Sequence, residues 1–346
     1  MRMKNYFYIL MILVFSFVLQ SQAGETKERL YVKSAARKAA QEHKLLAFEF
    51  WSPSCGSCMA MKRDIFENKI HSSTVEKYFL LVPVSPADSI YNSFWNYFKL
   101  EYQSSVIYID KNGNEIDRTV GYNGDRDGYL KLLKVIAYGK NLYKDVLRKY
   151  RRDTLRLSNC LLMARKLAAR YELEEAGRLY KRILSSDPAD KQRLRAECLF
   201  NIAEMEYTLN GKLTKMREFV DTGSKNTFAP RAYVYLINDR INKQDKDGCL
   251  AICEAGLSKY PDSWGILNKY AWALCTFKIQ KEYPKALTMV QQSIALNPSR
   301  PGTYSTEAWI HFEMGDTEKA IQLTKKAIEI YPDPGFVRDL ETFEKK

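Results

Sequence analysis

One stretch decides the fold of the N-terminal half: Phe48-Glu49-Phe50-Trp51-Ser52-Pro53-Ser54-Cys55-Gly56-Ser57-Cys58. It places a Cys-x-x-Cys pair between a short apolar, aromatic segment and a helical pattern. A strand that ends at Trp51 would deliver Cys55 to the first turn of the following helix. Unpaired backbone N–H groups and the positive end of the helix dipole stabilise a thiolate there, and a thiolate is the species that attacks disulfides. The stretch therefore predicts a dithiol/disulfide site.

The apolar pattern around this stretch predicts alternating helices and strands. An Asn112-Gly113 step between two strands is a hairpin signal. Alternation followed by a hairpin indicates a mixed sheet covered by helices on both faces. The predicted helices cover residues 25–44, 59–70, 89–98 and 127–138, and the predicted strands cover residues 45–51, 79–84, 106–110 and 115–120.

Beyond residue 140 the sequence predicts consecutive helices that repeat. Pro298 and Pro332 are 34 residues apart, and small or short side chains precede both prolines at the same offsets. Such helix pairs must stack to bury their apolar faces, which gives a curved array with a concave surface. The matching residues are Ala286, Val290 and Ser293; Ala320, Thr324 and Ala327; Ala176, Tyr180, Ile183 and Pro188; and Cys249, Cys253, Gly256 and Pro261, with a degenerate copy at 201–219.

Residues 1–23 have the pattern of a signal peptide. Arg2 and Lys4 form a basic start, Tyr6 to Leu19 is almost wholly apolar, and Ser21-Gln22-Ala23 offers a small-x-small cleavage site. The alternative is an uncleaved N-terminal membrane anchor, although the apolar run is short for a bilayer. We expect an exported protein, periplasmic if the source is a Gram-negative bacterium.

The chain is basic, with a formal net charge of +13, or +11 without Arg2 and Lys4. Much of the charge lies between Lys131 and Arg156, where only Asp145 and Asp153 oppose it. Such a segment can contact an anionic membrane surface or an acidic partner, and its simplest interpretation is a solvated helix face. Export argues against nucleic acid as the partner.

The seven cysteines include five outside the Cys-x-x-Cys pair, and an odd total rules out complete intramolecular pairing. Cys249 and Cys253 lie four residues apart on one helix face, but no histidine is near them, so the tetrahedral zinc pattern is not met. We expect the five to act as small buried hydrophobes. They are Cys160, Cys198, Cys249, Cys253 and Cys275.

Residues 45–138 resemble the thioredoxin family, and residues 157–190 and 231–332 resemble tetratricopeptide repeats. The resemblance implies a multidomain protein, with an α/β thioredoxin-like domain plus an all-α tetratricopeptide-like helical-repeat domain. The predicted division is a signal peptide at 1–23, the thioredoxin-like domain at 24–139, a basic helical linker at 140–156 and the helical repeats at 157–346.

The thioredoxin resemblance implies roles for three residues. Cys55 would be the attacking cysteine and Cys58 the resolving one. Glu49 would be the buried acid that moves a proton to and from the resolving cysteine. Simple strand alternation leaves a second interpretation of Glu49, in which it faces solvent between two inward phenylalanines.

Five residues are expected to form the substrate-docking surface, and three of the positions depart from the family pattern. Ser54 replaces the aromatic residue that commonly precedes the first cysteine, and Gly56-Ser57 replaces Gly-Pro. Ser104 stands where the family has a cis-proline. Because a cis peptide before a non-proline residue costs roughly 2.5–4 kcal/mol, we expect a trans backbone and altered substrate docking. The docking residues are Trp51, Ser54, Gly56, Ser57 and Ser104.

The sequence thus favours thiol–disulfide exchange with a protein or peptide client that carries a cysteine pair. This chemistry requires no metal or organic cofactor. The repeats would recruit the client or another protein on their concave face. The alternative is a non-catalytic binding scaffold in which the thioredoxin-like fold has lost exchange activity, and a third interpretation is a helper for protein assembly in the envelope.

Overall fold

A computed structural model describes residues 25–345, except residues 54, 68–70, 123, 125, 224, 299 and 331. The predicted signal peptide and the predicted docking residue Ser54 lie outside the described residues. Within the described part of the chain, no helix combines the length and the apolar character needed to cross a bilayer.

A four-stranded mixed sheet forms the centre of the N-terminal domain, as predicted. Its order is β2-β1-β3-β4, where β1 pairs in parallel with β2 and antiparallel with β3, and β3 pairs antiparallel with β4. The strands are β1 Leu45–Phe50, β2 Phe79–Val84, β3 Ser105–Ile109 and β4 Glu115–Val120. The helices are α1 Lys27–Gln41, α2 Gly56–Met61, α3 Ser72–Tyr78, α4 Tyr91–Tyr97 and α5 Arg126–Ala137.

The helix predicted over residues 59–70 differs from the observed one. Helix α2 begins three residues earlier, because Cys55 caps it, and after Met61 it widens into a π-helical turn at Lys62–Phe66. Helix α3 was not predicted, since its start, Ser72-Ser73-Thr74-Val75, consists of residues with low helix propensity. Its Val75 packs into the core instead.

The two faces of the sheet carry separate cores. Phe48 and Phe50 point towards α1 and α4, where Phe94 and Phe98 lie 5.4 and 5.6 Å from Phe48 between ring centroids. Ala47 points to the other face, which α2, α3 and α5 cover. Since side chains alternate along a strand, Glu49 shares the face of Ala47 and lies beneath the helices that follow the cysteines.

The C-terminal part is an array of stacked helix pairs. The predicted repeat positions are buried: Ala176, Ala286, Ala320 and Ala327 each have 0% exposed surface, which allows the helices of a pair to approach closely. The helices are α6 Tyr143–Arg152, α7 Leu157–Ala168, α8 Leu173–Ser186, α9 Arg195–Asn210, α10 Thr214–Asp221, α11 Ala229–Asn242, α12 Lys246–Lys259, α13 Trp264–Thr276, α14 Tyr283–Leu296, α15 Pro301–Glu313, α16 Thr317–Ile330 and α17 Pro334–Glu344.

The basic segment 140–156 contains helix α6. Val146 on this helix is buried in the core of the first repeats, while most lysine and arginine side chains of the segment are exposed. The helix thus joins the array through one apolar face and presents its charge to solvent.

Ion pairs fasten the first repeat helices to strand β4. Asp117 is fully buried and pairs with the Lys166 ammonium of α7. Arg170 lies 3.0 Å from a Glu115 carboxylate oxygen, and its guanidinium stacks 3.8 Å from the Tyr143 ring centroid. Removal of one member of a buried ion pair is strongly destabilising, so these contacts fix the array on the sheet.

Candidate redox site

Strand β1 and helix α2 position the two cysteines. Cys55 is the N-cap of α2, and its Sγ accepts a hydrogen bond from the Cys58 backbone N–H at 3.2 Å. Cys55 and Cys58 form a disulfide with a Cα–Cα distance of 5.3 Å. Cys55 is partly exposed and Cys58 is fully buried. The outer sulfur can therefore meet a partner, while the inner one is reached only through it.

Glu49, on the strand β1 that leads to this pair, is a buried carboxyl group. Its side chain is 1% exposed, which excludes the solvent-facing interpretation that strand alternation left open. Burial raises the pKa of Glu49 to about 7, while the nearby Lys62 ammonium limits the rise. Its Oε1 atom has no hydrogen-bond partner among the described residues. A carboxyl group with a pKa near neutrality can both take up and release a proton at physiological pH.

Lys62 is a site residue that the sequence did not reveal. It is 8% exposed, and its Nζ atom lies 3.8 Å from the Trp51 ring centroid and 2.9 Å from a Glu67 carboxylate oxygen. It follows Cys58 by four residues, so it falls on the core-facing side of the same helix. The sequence did contain a signal for this residue, because Lys62 is the one charged side chain in the run Cys58-Met59-Ala60-Met61-Lys62.

The expected docking residues around Cys55 differ in their exposure and in their contacts. Trp51 is half-buried beneath the Lys62 ammonium. Gly56 is exposed, and a Cβ built there would meet no described atom within 4 Å. Ser57 Oγ lies 3.4 Å from Cys55 Sγ. The space beside Gly56 is thus open among the described residues.

Ser104 adopts a trans, left-handed backbone, and the expected loss of the cis peptide is confirmed. The described residues contain no cis peptide bond, and Ser104 has a φ of 61°. Its N–H donates to the Phe50 carbonyl at 2.9 Å, and its carbonyl accepts from Gly121 N–H at 2.8 Å. The Ser104 Oγ atom is buried without a hydrogen-bond partner among the described residues. Its effect on substrate docking stays a prediction.

A family model described as a thioredoxin-like domain matches residues 32–137. The N-terminal domain is therefore a thioredoxin-like domain. The match covers the sheet, the cysteine pair and Glu49, and it ends at the last residue of α5. The chain matches no curated protein.

Solved tetratricopeptide-repeat (TPR) proteins align with the helical array at low similarity. YrrB, described as a TPR protein with an unusual peptide-binding site, is 14% identical over 57% of this chain and 97% of its own, with a TM-score of 0.40. A thermophilic TPR protein from Thermus thermophilus is 20% identical over 55% of this chain and all of its own, with a TM-score of 0.37. One from Parabacteroides merdae is 15% identical over 63% of this chain and 79% of its own, with a TM-score of 0.39.

The expected architecture is confirmed: a thioredoxin-like domain precedes tetratricopeptide-like helical repeats. The repeat assignment is visible in the chain itself. Helices α14 and α16 begin at Tyr283 and Thr317, which are separated by the 34-residue period read from the prolines.

The five cysteines outside the thioredoxin-like domain are buried and form no disulfide. Burial raises the pKa of both Cys198 and Cys275 to about 12, so these thiols are largely protonated at neutral pH. The described residues contain no group of three or more His, Cys, Asp or Glu side chains placed to hold a metal ion. Burial therefore makes Cys198 and Cys275 weak nucleophiles.

The last helix of the array reaches the redox site. Phe336 on α17 packs against the apolar cluster of Cys58 and Met59, against which Trp51 and Cys55 also pack. No local sequence signal could have placed it there, because this contact depends on the curvature of the whole array. The thioredoxin-like domain thus meets the repeats both at β4 and at its cysteine pair.

Proposed function

We propose that this protein is an exported thiol–disulfide oxidoreductase that uses the Cys55–Cys58 pair, and that its helical repeats recruit a protein client. One observation carries the proposal: a disulfide whose first cysteine is partly exposed caps a helix, and that helix covers the sheet face on which a buried carboxyl group has a pKa of about 7. A purely structural disulfide would need neither an exposed cysteine nor a proton carrier.

The proposed reaction is a two-electron exchange. In the reduced protein, the Cys55 thiolate attacks one sulfur of a client disulfide, a mixed disulfide forms, and the other client sulfur leaves as a thiolate. Cys58 then attacks the Cys55 sulfur, which releases the second client sulfur and restores the Cys55–Cys58 disulfide. The client is reduced and the protein is oxidised. The reverse sequence donates the disulfide to a client dithiol.

Glu49 would serve the second step. Cys58 must lose its proton to attack, yet it is fully buried, where water cannot accept that proton. The Glu49 carboxylate lies on the sheet face beneath α2, and a pKa of about 7 lets it accept the proton and later pass it on. Lys62 would hold part of the Glu49 population ionised, which keeps a base available.

A redox titration tests the proposal. The oxidised full-length chain is equilibrated in glutathione buffers of graded potential, and the Cys55–Cys58 state is read from the mass shift on alkylation. We expect one reversible two-electron transition, which Cys55→Ser and Cys58→Ser each abolish, while Cys160→Ser, a matched buried cysteine outside the site, leaves it unchanged. A pair that stays locked in one state would refute the proposal.

The second candidate is a non-catalytic binding scaffold, and the trans backbone at Ser104 favours it. In that case the concave face of the repeats would carry the function alone. Alkylation of the reduced protein at slightly acidic pH separates the two candidates: a catalytic Cys55 modifies much faster than Cys198 or Cys275, whereas a scaffold modifies slowly at every position. Suppression of client aggregation by a Cys55→Ser, Cys58→Ser variant would instead indicate an assembly helper.

Export and membrane contact are separate parts of the proposal. We expect the secreted chain to lack residues 1–23, which intact-mass measurement of protein from the source cells would show; retention of these residues would support an uncleaved anchor. The exposed cations of segment 131–156 would bind anionic vesicles more strongly at low salt. Equal binding to neutral vesicles would contradict that role.

A further inference from the structure

The redox site is built from both parts of the chain. Phe336 contributes an aromatic ring to the cluster around the disulfide, and this residue belongs to the last helix of the repeats. Trp51 is covered on one face by the Lys62 ammonium. The cluster leaves Cys55 only partly exposed, with open space above Gly56. Phe336 and Cys55 therefore pack against the same two residues, Cys58 and Met59.

The helix that carries Phe336 is firmly held. Phe343, near its C-terminal end, is fully buried, with ring centroids 4.9 Å from Trp309 and 4.4 Å from Phe312. Its N-terminal end is capped by Asp333, which accepts a hydrogen bond from Gly335 N–H at 2.6 Å. Because the helix is held at both ends, Phe336 has a fixed position beside the site.

A second contact holds the same end of the array against the thioredoxin-like domain. Arg300, which caps α15, reaches Gly124, where a Cβ would overlap its guanidinium. Its charge also interacts with Asp64, which lies in the same π-helical turn as Lys62 and accepts a hydrogen bond from Tyr122 at 3.1 Å. Two independent contacts therefore set the distance between the array and the cysteine pair.

We infer that Phe336 is a specificity-determining residue, which narrows the entrance to Cys55 so that clients react through an extended segment and folded surfaces are excluded. This inference rests on the proposed exchange activity. An extended strand with small side chains beside its cysteine can pass over Gly56 and Ser57. A disulfide on a folded surface carries flanking structure that would collide with Phe336 and α17.

The test compares two disulfides of different bulk. Reduced wild-type protein and Phe336→Ala are reacted with oxidised glutathione and with native insulin, and the second-order rate constants are measured under identical conditions. We expect Phe336→Ala to raise the insulin-to-glutathione rate ratio by about fivefold or more, which corresponds to about 1 kcal/mol in transition-state free energy. Val337→Ala, the next residue and 39% exposed, should leave the ratio unchanged.

Two outcomes of the rate comparison would overturn the inference. An unchanged ratio would mean that the ring does not restrict access, and a ratio that falls would mean that Phe336 attracts clients. Proximity is tested separately in a Cys58→Ser background, where mild oxidation should link Cys55 to the new thiol of Phe336→Cys but not to that of Val337→Cys. If this disulfide does not form, residue 336 lies too far from Cys55 to narrow its entrance. The engineered disulfide forms without any client. If it forms but the protein reacts with neither glutathione nor insulin, the proposed function fails while the position of Phe336 beside Cys55 stands.

Discussion

Replacement of the buried acid, Glu49→Gln, should change how the stability of the thioredoxin-like domain depends on pH. Burial raises the pKa of Glu49 from its usual 4.5 to about 7. Between these values the folded state binds more protons than the unfolded state, so the free energy of unfolding falls as pH rises. The displacement corresponds to about 3 kcal/mol, of which about 2.5 kcal/mol would be lost between about pH 5 and pH 8. Because the amide of a glutamine side chain does not titrate, the variant avoids this loss.

Hydrogen exchange of the β1 amides provides the assay. A two-domain chain need not unfold in one step, so a local probe of this strand is preferable to a global transition. The ratio of exchange rates in oxidised wild type and Glu49→Gln is measured at each pH, which cancels the intrinsic pH dependence of exchange. The variant should gain protection relative to the wild type by about 2.5 kcal/mol over the pH range given above.

The matched control is Glu76→Gln, an exposed carboxyl group on α3. Its exchange ratio to wild type should stay constant with pH. The reasoning would be refuted by a Glu49→Gln ratio that is equally flat, because Glu49 would then titrate as an ordinary surface carboxyl group. A ratio that moves in the opposite direction would show a pKa below the usual value.

Three further outcomes are expected. Lys62→Met removes the charge that limits the pKa rise of Glu49, so the pH midpoint of the thiol–disulfide exchange rate should move upwards. An unchanged pH–rate profile would mean that Lys62 does not influence the proton transfer by Glu49. Lys166→Met leaves the buried Asp117 with a weaker partner and should cost about 3 kcal/mol in urea unfolding, whereas a neutral result would mean that the ion pair does not fasten the array. Ala320→Leu overfills a fully buried repeat position and should cost about 1–3 kcal/mol in thermal unfolding, and full stability would contradict the close helix approach.

Local patterns account for what the sequence could predict. The apolar run before Cys55, the helical spacing after Cys58 and the period of small residues before each proline all act over a few residues, and each specified its own element. The missed helix α3 shows the limit of this information, because packing of Val75 outweighed weak helix propensity.

The remaining features of the site depend on what covers each surface. The sequence predicted helices on both faces of the sheet, but only the fold shows which helices cover the face of Glu49 and that its carboxyl group is buried there. Lys62 was recognisable as an unusual charge in a helix register, yet its stacking on Trp51 required the structure. No local pattern could place Phe336, because its position depends on the geometry of every preceding helix pair.

Attachment of the array to the thioredoxin-like domain at two places has a consequence for the number of repeats. Most solenoids can gain or lose a unit at little cost, because each unit contacts only its neighbours. Here Lys166 is bound to strand β4 at one end, and Phe336 reaches the cysteine pair at the other. One additional helix pair would carry α17 past the disulfide, and one fewer would leave it short. The length of this array is therefore set by the small domain that it spans.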